Sequence, residues 1–152
     1  MLGGDQLSDG VTFRISLDSK IEGMSETMKR EMNDLVHLTG HDVERTWKQG
    51  IRLPPKTGRV YIIRGKAHQA SAPGEFPANL TGTLMNSIQV DNSQRMRSVV
   101  WQDDSAAPWG FWLELGTVSI DPRPHAAPAG EAHRERFIDK ATEVLASLGR
   151  NV

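Results

Sequence analysis

The chain has 152 residues, of which 38% are apolar and 24% charged, and these values predict one globular domain with a single hydrophobic core. It contains no cysteine, which excludes disulfide bonds and thiolate zinc sites. With a net charge of -1 and no block of Lys and Arg, it lacks the basic surface of a tight non-specific DNA binder, and neither the apolar run of a membrane span nor a secretory signal is visible.

The first third of the chain predicts an arm, a strand and a long helix. Residues 1–10 are rich in Gly and Asp and are expected to form a flexible N-terminal arm. Residues 11–17 alternate apolar and polar side chains, which is the pattern of a half-buried strand. Residues 19–22 have the spacing of a capping box, which predicts that a helix of about 28 residues starts there and ends near Gly50. Gly40 is a candidate bend in this helix.

One face of this helix carries a stripe at every third or fourth position, which indicates that it packs on the core. The stripe comprises Met24, Met28, Met32, Leu35, Thr39, Val43 and Trp47. The helix is longer than a domain of this size needs, and methionine adapts to irregular surfaces. Met24 and Met28 are therefore also candidate contacts to a neighbouring subunit.

The middle of the chain predicts strands separated by a stiff loop. Val60–Ile63 is apolar on both faces, which predicts a central strand. Prolines and glycines favour an irregular loop over residues 66–79. Residues 81–87 predict one or two helical turns, and residues 88–91 and 96–102 flank a short polar segment and predict a β-hairpin.

The last third predicts two helices with an irregular segment between them. Residues 107–115 predict a short helix that is capped by Gly116. Residues 122–128 are expected to be irregular. Pro128 suits the first position of a final helix, which would end at Gly149.

These elements together predict the α+β class, with a mostly antiparallel sheet of about four strands packed against two long helices. The chain shows no internal repeat and no second domain, so residues 11–149 are expected to form a single domain.

No catalytic centre stands out in the sequence. His37 and His41 have metal-ligand spacing, but the zincin motif needs Glu after the first His, and Leu38 occupies that position. His125 and His133 lack any recognised spacing to a third ligand. The expectation is therefore a protein without enzyme activity, cofactor or bound metal, and a metal-dependent hydrolase is a remote alternative.

Two features of the segment around residue 114 have structural interpretations. Glu114 lies between apolar neighbours, nine residues before Arg123, and the pair is predicted to form a partly buried ion pair within the chain or between subunits. Trp109, Phe111 and Trp112 cannot all face one way on a short helix. Each is therefore either a core residue or a candidate interface anchor.

Two proline-rich phrases, over residues 71–88 and over residues 109–117 with 122–129, carry a resemblance to a known family. Their order and spacing resemble the head–tail-joining family, which comprises the neck or tail-completion proteins of long-tailed phages. The matching positions include Pro73, Gly74, Glu75, Pro77, Thr81, Gly82, Leu84, Ile88, Glu114, Gly116, Thr117, Pro122, Arg123, Pro124 and Pro128. His125 departs from the pattern, because an apolar aromatic residue is usual there.

The resemblance implies that these positions serve structure and assembly and are not catalytic. It implies a virion protein, assembled in the host cytoplasm, that forms a ring in the neck or tail around the DNA channel. A ring of six copies is favoured, and a ring of twelve is the alternative. The ring would contact the connector or head-closure proteins on one side and the tail proteins on the other. DNA would pass through the lumen without specific binding. A tail-terminator or a minor tail subunit is the main alternative.

Overall fold

The computed structural model describes residues 11–16, 24–53 and 56–147. The predicted N-terminal arm, the capping box at residues 19–22 and the predicted helix end at Gly149 lie outside these ranges. The elements in chain order are β1 (Thr12–Ser16), α1 (Glu26–Arg52), β2 (Val60–Ile63), β3 (Lys66–Gln69), α2 (Thr83–Asn86), β4 (Ile88–Asp91), β5 (Arg97–Gln102), α3 (Trp109–Leu115) and α4 (Ala126–Ala146). The predicted α+β class is confirmed.

The main sheet has three antiparallel strands in the order β1-β5-β4. The predicted hairpin is confirmed as β4 and β5, with Val90 opposite Val100. Strand β5 begins at Arg97 because Met96 has a positive φ of 54° and belongs to the turn. Helix α1 packs on all three strands, and α4 packs on α1 and β1. None of the helices in the described ranges is long and apolar enough to cross a bilayer.

Helix α1 has nearly the predicted length, at 27 residues, but it begins later than the capping-box pattern indicated. Ser25 is extended, and its Oγ accepts a hydrogen bond of 3.2 Å from the N–H of Met28. This side-chain cap fixes the start of the helix at Glu26. The helix runs without interruption through Gly40, where an ideal Cβ would overlap Ser98 Oγ on β5. The glycine therefore allows α1 to lie close against the sheet.

The methionines of α1 are covered within the chain. Met24, Met28 and Met32 are buried in one cluster with Met96 and Ala141. The prediction that Met24 and Met28 are available to a neighbouring subunit is therefore wrong, because the β4–β5 turn and α4 already cover them. The remaining buried apolar side chains of α1, which are Val36, Val43, Trp47 and Ile51, belong to a larger core cluster that includes Val100.

Val60–Ile63 is not a central strand. Among the described strands it pairs only with β3, which lies inside the segment predicted to be an irregular loop, and the two strands form a separate antiparallel ribbon. Ile63 is opposite Lys66, so the turn consists of Arg64 and Gly65, and both have positive φ. Two positive φ values in a two-residue turn match the twist of a hairpin. The described residues thus contain five strands in two sheets, where about four strands were predicted.

The two C-terminal helices lie near their predicted positions, but both starts differ, and α3 begins at Trp109 instead of residue 107. Helix α3 ends at Leu115, and Gly116 follows with φ 77° and donates its N–H to Trp112 O at 2.8 Å. Helix α4 begins at Ala126, so Pro128 is its third residue, not its first. The reason lies in how the first turn of α4 is capped by Glu114.

Candidate assembly site at the junction of the two proline-rich segments

The two proline-rich phrases, which are far apart in the sequence, meet in the folded chain. The N–H of Gly74 donates to Pro122 O at 2.9 Å, and Nε of Arg123 donates to Ser71 O at 3.2 Å. The N–H of Arg123 also donates to Leu113 O at 2.6 Å. We call this contact between residues 71–76 and 122–123 the junction.

The first phrase enters the junction through a tight turn. The N–H of Glu75 donates to Ala72 O at 3.2 Å, with Pro73 and Gly74 between them. Gly74 has φ 81°, a value that a type II turn requires at its third residue and that favours glycine. The turn exposes Pro73 and Gly74 and directs the Glu75 side chain back toward the chain that precedes β2.

Glu75 ties this turn to the base of the ribbon. Its carboxylate accepts hydrogen bonds from Thr57 Oγ1 at 2.6 Å, Ala72 N at 2.8 Å and Thr57 N at 3.1 Å. These bonds, led by the one from the Thr57 hydroxyl, lower the pKa of Glu75. Glu75 therefore acts as an acceptor that shapes the backbone.

Lys56 ties the same loop to the end of α1. Its Nζ donates to Gly50 O at 2.7 Å and to Phe76 O at 2.9 Å. Burial lowers the pKa of Lys56, since the charged ammonium is partly removed from water. An ideal Cβ on Gly50 would overlap the Phe76 ring, so this glycine lets the loop pack against the helix.

The rest of the first phrase enters the core. Gly82 has φ 82°, and its N–H donates to Asn79 Oδ1 at 2.8 Å before α2 begins. Pro77 is buried, and Leu84 and Ile88 belong to the large core cluster. Thr81 is exposed, and its hydroxyl forms a hydrogen bond of 2.8 Å with that of Thr83.

Glu114 caps α4. Its Oε2 accepts from the N–H groups of His125 at 2.6 Å and Ala126 at 2.9 Å, and its Oε1 accepts from the N–H of Ala127 at 3.1 Å. The first N–H groups of a helix lack partners within the helix. The next residue, Pro128, has no N–H, so one carboxylate satisfies the exposed end of this helix.

The predicted ion pair between Glu114 and Arg123 is not formed within the chain. The Arg123 guanidinium instead donates to Ser71 O and, through Nη1 at 2.9 Å, to Asp121 O. The carboxylate is occupied by backbone donors of α4, and the guanidinium by backbone acceptors of the junction. The sequence signal for the cap is a helix that begins at His125-Ala126 without a Ser, Thr, Asp or Asn at its own N-cap.

A fully buried histidine links three helices at the centre of the molecule. Nδ1 of His125 accepts from Trp47 Nε1 at 2.6 Å, and Nε2 lies 3.1 Å from Gly110 O. A carbonyl oxygen only accepts, so Nε2 carries the proton and the ring is neutral. Burial lowers the pKa of His125, which outweighs the opposing effect of Glu114 at 3.7 Å. His125 thus has a defined packing role in the core.

The turn after α3 is held by its own backbone. The N–H of Thr117 donates to Ile120 O at 2.8 Å, and Thr117 Oγ1 accepts from the N–H of Ile120 at 3.1 Å. An ideal Cβ on Gly116 would press on Ile120 O and Pro122. Val118, at the tip of this turn, is exposed.

The aromatic residues of α3 lie on the surface. Trp109, Phe111 and Trp112 are all exposed, whereas Leu113 packs against the large core cluster. These three candidate interface residues are therefore accessible in a single chain. Their role at an interface stays a prediction.

The histidines of α1 have ordinary surface partners. Nε2 of His37 lies 3.2 Å from Gln94 O, and Nε2 of His41 lies 3.2 Å from Asn92 Nδ2. His133 Nε2 forms a hydrogen bond of 2.7 Å with the Thr46 hydroxyl. Among the described residues, no group of three or more His, Asp or Glu side chains is placed to hold a metal ion.

Comparisons of the chain with protein-family models, curated proteins and solved structures found no match. The resemblance to head–tail-joining proteins therefore depends on the two proline-rich phrases alone.

Proposed function

We propose that the chain is a structural virion protein that forms a ring in the neck of a long-tailed phage and joins the head to the tail around the DNA channel. The observation that carries this proposal is the junction. The two phrases behind the family resemblance contact one another through Gly74, Pro122, Ser71 and Arg123. If the two phrases belong to one family pattern, they are expected to form one structural unit, and this contact supports that expectation.

The chemistry of the junction supports a role in assembly. Glu75 in the junction binds backbone N–H groups of its loop, and Glu114, which caps α4, binds backbone N–H groups of that helix. Glu75 also accepts from the Thr57 hydroxyl, and this bond too holds its loop in place. Nothing among the described residues favours a metal-dependent hydrolase.

The surface of the chain supports the same role. The exposed aromatic residues of α3 give a ring subunit apolar area to bury, and tryptophan is enriched among interface hot spots. The net charge of -1 suits a channel through which DNA slides without being held. Six copies are proposed, in line with tail symmetry, and twelve would match the portal side.

The test is a nonsense mutation in the gene for this chain in the phage that encodes it. Negative-stain microscopy of the lysate should show DNA-filled heads and finished tails that are not joined, and the chain supplied from a plasmid should restore joined particles. Tails of abnormal length would indicate the alternative role of a tail terminator. Joined and infectious particles in the absence of the chain would refute the proposal.

A point variant sharpens this test. Glu114→Ala removes the cap of α4, the helix that follows the junction segment 122–123, and Glu131→Ala, on the exposed side of α4, is its matched control. Complementation by the plasmid should fail or weaken with the first variant and succeed with the second. If both variants complemented equally well, the capping of α4 by Glu114 would not be needed to join heads to tails.

A further inference from the structure

The β2–β3 ribbon exposes an apolar face. Val60 and Ile62 are two residues apart on β2 and share a face, and Ala67 lies opposite Ile62 on β3. Ile62 is 72% exposed. Among the described elements no other helix or strand makes an extensive contact with the ribbon. A two-stranded hairpin is marginally stable by itself in water, so this face gains stability from a cover.

Helix α3 and the turn after it expose a second apolar surface, which we call the α3 face. Trp109, Trp112 and Leu115 are spaced three residues apart along one side of the helix, and all three are exposed. Val118 and Ile120 add exposed apolar side chains in the following turn. A contiguous apolar patch on a monomer is a common mark of an interaction site.

The two surfaces carry charges of opposite sign. The ribbon holds Arg59, Arg64 and Lys66, and residues 56–74 contain no Asp or Glu. Residues 98–122 contain no Lys or Arg and include Asp103, Asp104 and Asp121, besides Glu114, which is only 11% exposed and caps α4. The next basic residue, Arg123, is half-buried and binds backbone carbonyls at the junction. Opposite charges around apolar centres favour correct pairing and speed association.

We propose that the β2–β3 ribbon of one copy packs on the α3 face of a second copy of this chain. One chain supplies both surfaces in equal number, so a contact between copies buries both. The two surfaces differ, and a contact between unlike surfaces continues from copy to copy and closes into a ring when the rotation permits. The inference rests on the proposed function, because a ring subunit needs such a head-to-tail contact, but the contact itself is testable on the purified protein.

The absence of cysteine allows a direct test by disulfide trapping. Ala67→Cys places a thiol on the ribbon, Ser119→Cys places one beside the α3 face, and Ala132→Cys on the exposed side of α4 is the matched control. Oxidation of a mixture of the first two variants should yield the mixed disulfide in excess over random pairing. A mixture with the control should show no such excess.

Three outcomes of the trapping would overturn the inference. Random product ratios would mean that the surfaces meet only by collision, and the absence of any product would mean that they do not meet. A double variant, Ala67→Cys with Ser119→Cys, should give a ladder of oligomers. If it stopped at a dimer, the contact would be closed by two-fold symmetry and could not build a ring.

Substitutions test the chemistry of the contact. Ile62→Asp and Leu115→Asp should each reduce the trapped yield, and any association measured by sedimentation, at least about tenfold. The matched controls are Ile138→Asp and Leu38→Asp, at positions that are 50% and 64% exposed on α4 and α1. Circular dichroism checks that each variant folds. An equal loss in the controls would point to non-specific apolar association and overturn the inference.

The charges are tested by exchange. Arg64→Glu should lower the trapped yield, and mixing this variant with an Asp121→Arg chain should restore the pairing. High salt should lower the yield for the unaltered pair. If the trapping shows no selective contact and the nonsense mutant gives unjoined heads and tails, the inference is wrong and the proposed function is retained. A selective contact beside infectious mutant particles would do the reverse.

Discussion

Replacing Glu114 by alanine removes the acceptor that serves the start of α4. Three N–H groups, those of His125, Ala126 and Ala127, lose their partner together. The Glu114 side chain is only 11% exposed, so water does not replace it freely. The change therefore combines the loss of a helix cap with the creation of unsatisfied donors.

The expected magnitude follows from the number of bonds. A usual N-cap side chain accepts one N–H, and its loss costs about 0.5–2 kcal/mol. A hydrogen bond to a charged group contributes about 1.5–3 kcal/mol, so three of them set an upper limit of about 9 kcal/mol. Such bonds are not additive, and some water enters the gap. We expect Glu114→Ala to lower the free energy of unfolding by about 3–4 kcal/mol.

Urea denaturation followed by tryptophan fluorescence and circular dichroism measures this loss. With a slope of about 2 kcal/mol per molar urea, the midpoint should fall by about 1.5–2 M. Glu131→Ala, which removes an exposed carboxylate 3.6 Å from Arg134, should cost about 0–1 kcal/mol. A loss in Glu114→Ala no larger than in this control would refute the capping role.

Charge reversal separates the cap from an ion pair. If Glu114 and Arg123 formed an ion pair, the double variant Glu114→Arg, Arg123→Glu would keep that pair with its charges exchanged. The N–H groups of α4 would still lack an acceptor, so stability should not recover. Recovery to near the original stability would show that Glu114 and Arg123 interact after all.

Two further predictions concern the core. Gly40→Ala should lower the free energy of unfolding by about 1–3 kcal/mol in the same assay, because the added methyl overlaps Ser98 Oγ between α1 and β5. Ser98→Ala should cost little, since that hydroxyl has no hydrogen-bond partner among the described residues. A Gly40→Ala variant as stable as the original protein would contradict this packing. Because the pKa of His125 is lowered in the folded protein, the stability that the neutral ring contributes is complete above the ordinary histidine pKa of 6.5 and is lost as the pH falls below that value. At pH 7, ¹⁵N spectra should show a neutral ring that is protonated at Nε2. A ring that titrates at or above 6.5 would contradict the buried hydrogen bond from Trp47.

Local patterns predicted most of the elements. The alternation in β1, the stripe on α1, the β4–β5 hairpin and the glycine after α3 each place a helix or strand within a few residues. These signals depend on repeats of two and 3.6 residues along a short stretch of chain. They weaken at boundaries, which is why the start of α1 at Glu26 and the third position of Pro128 in α4 were not predicted.

Burial was harder to predict than helix or strand. Val60–Ile63 is apolar on both faces. That pattern fits a strand that is covered on both sides, and it fits equally well a ribbon that exposes its apolar residues. The methionines at positions 24 and 28 fit both a core and an interface. Only the packing of α4 and of the β4–β5 turn over α1 decides that these methionines are buried.

The sequence by itself determined the α+β class, the order of most elements and the two phrases behind the proposed function. The tertiary structure alone decided which groups meet: Gly74 with Pro122, Trp47 with His125, and Glu114 with the start of α4 instead of with Arg123. The physical reason is that a carboxylate can be satisfied by a guanidinium or by backbone donors. The choice between them depends on where a distant helix begins, and no local pattern records that position.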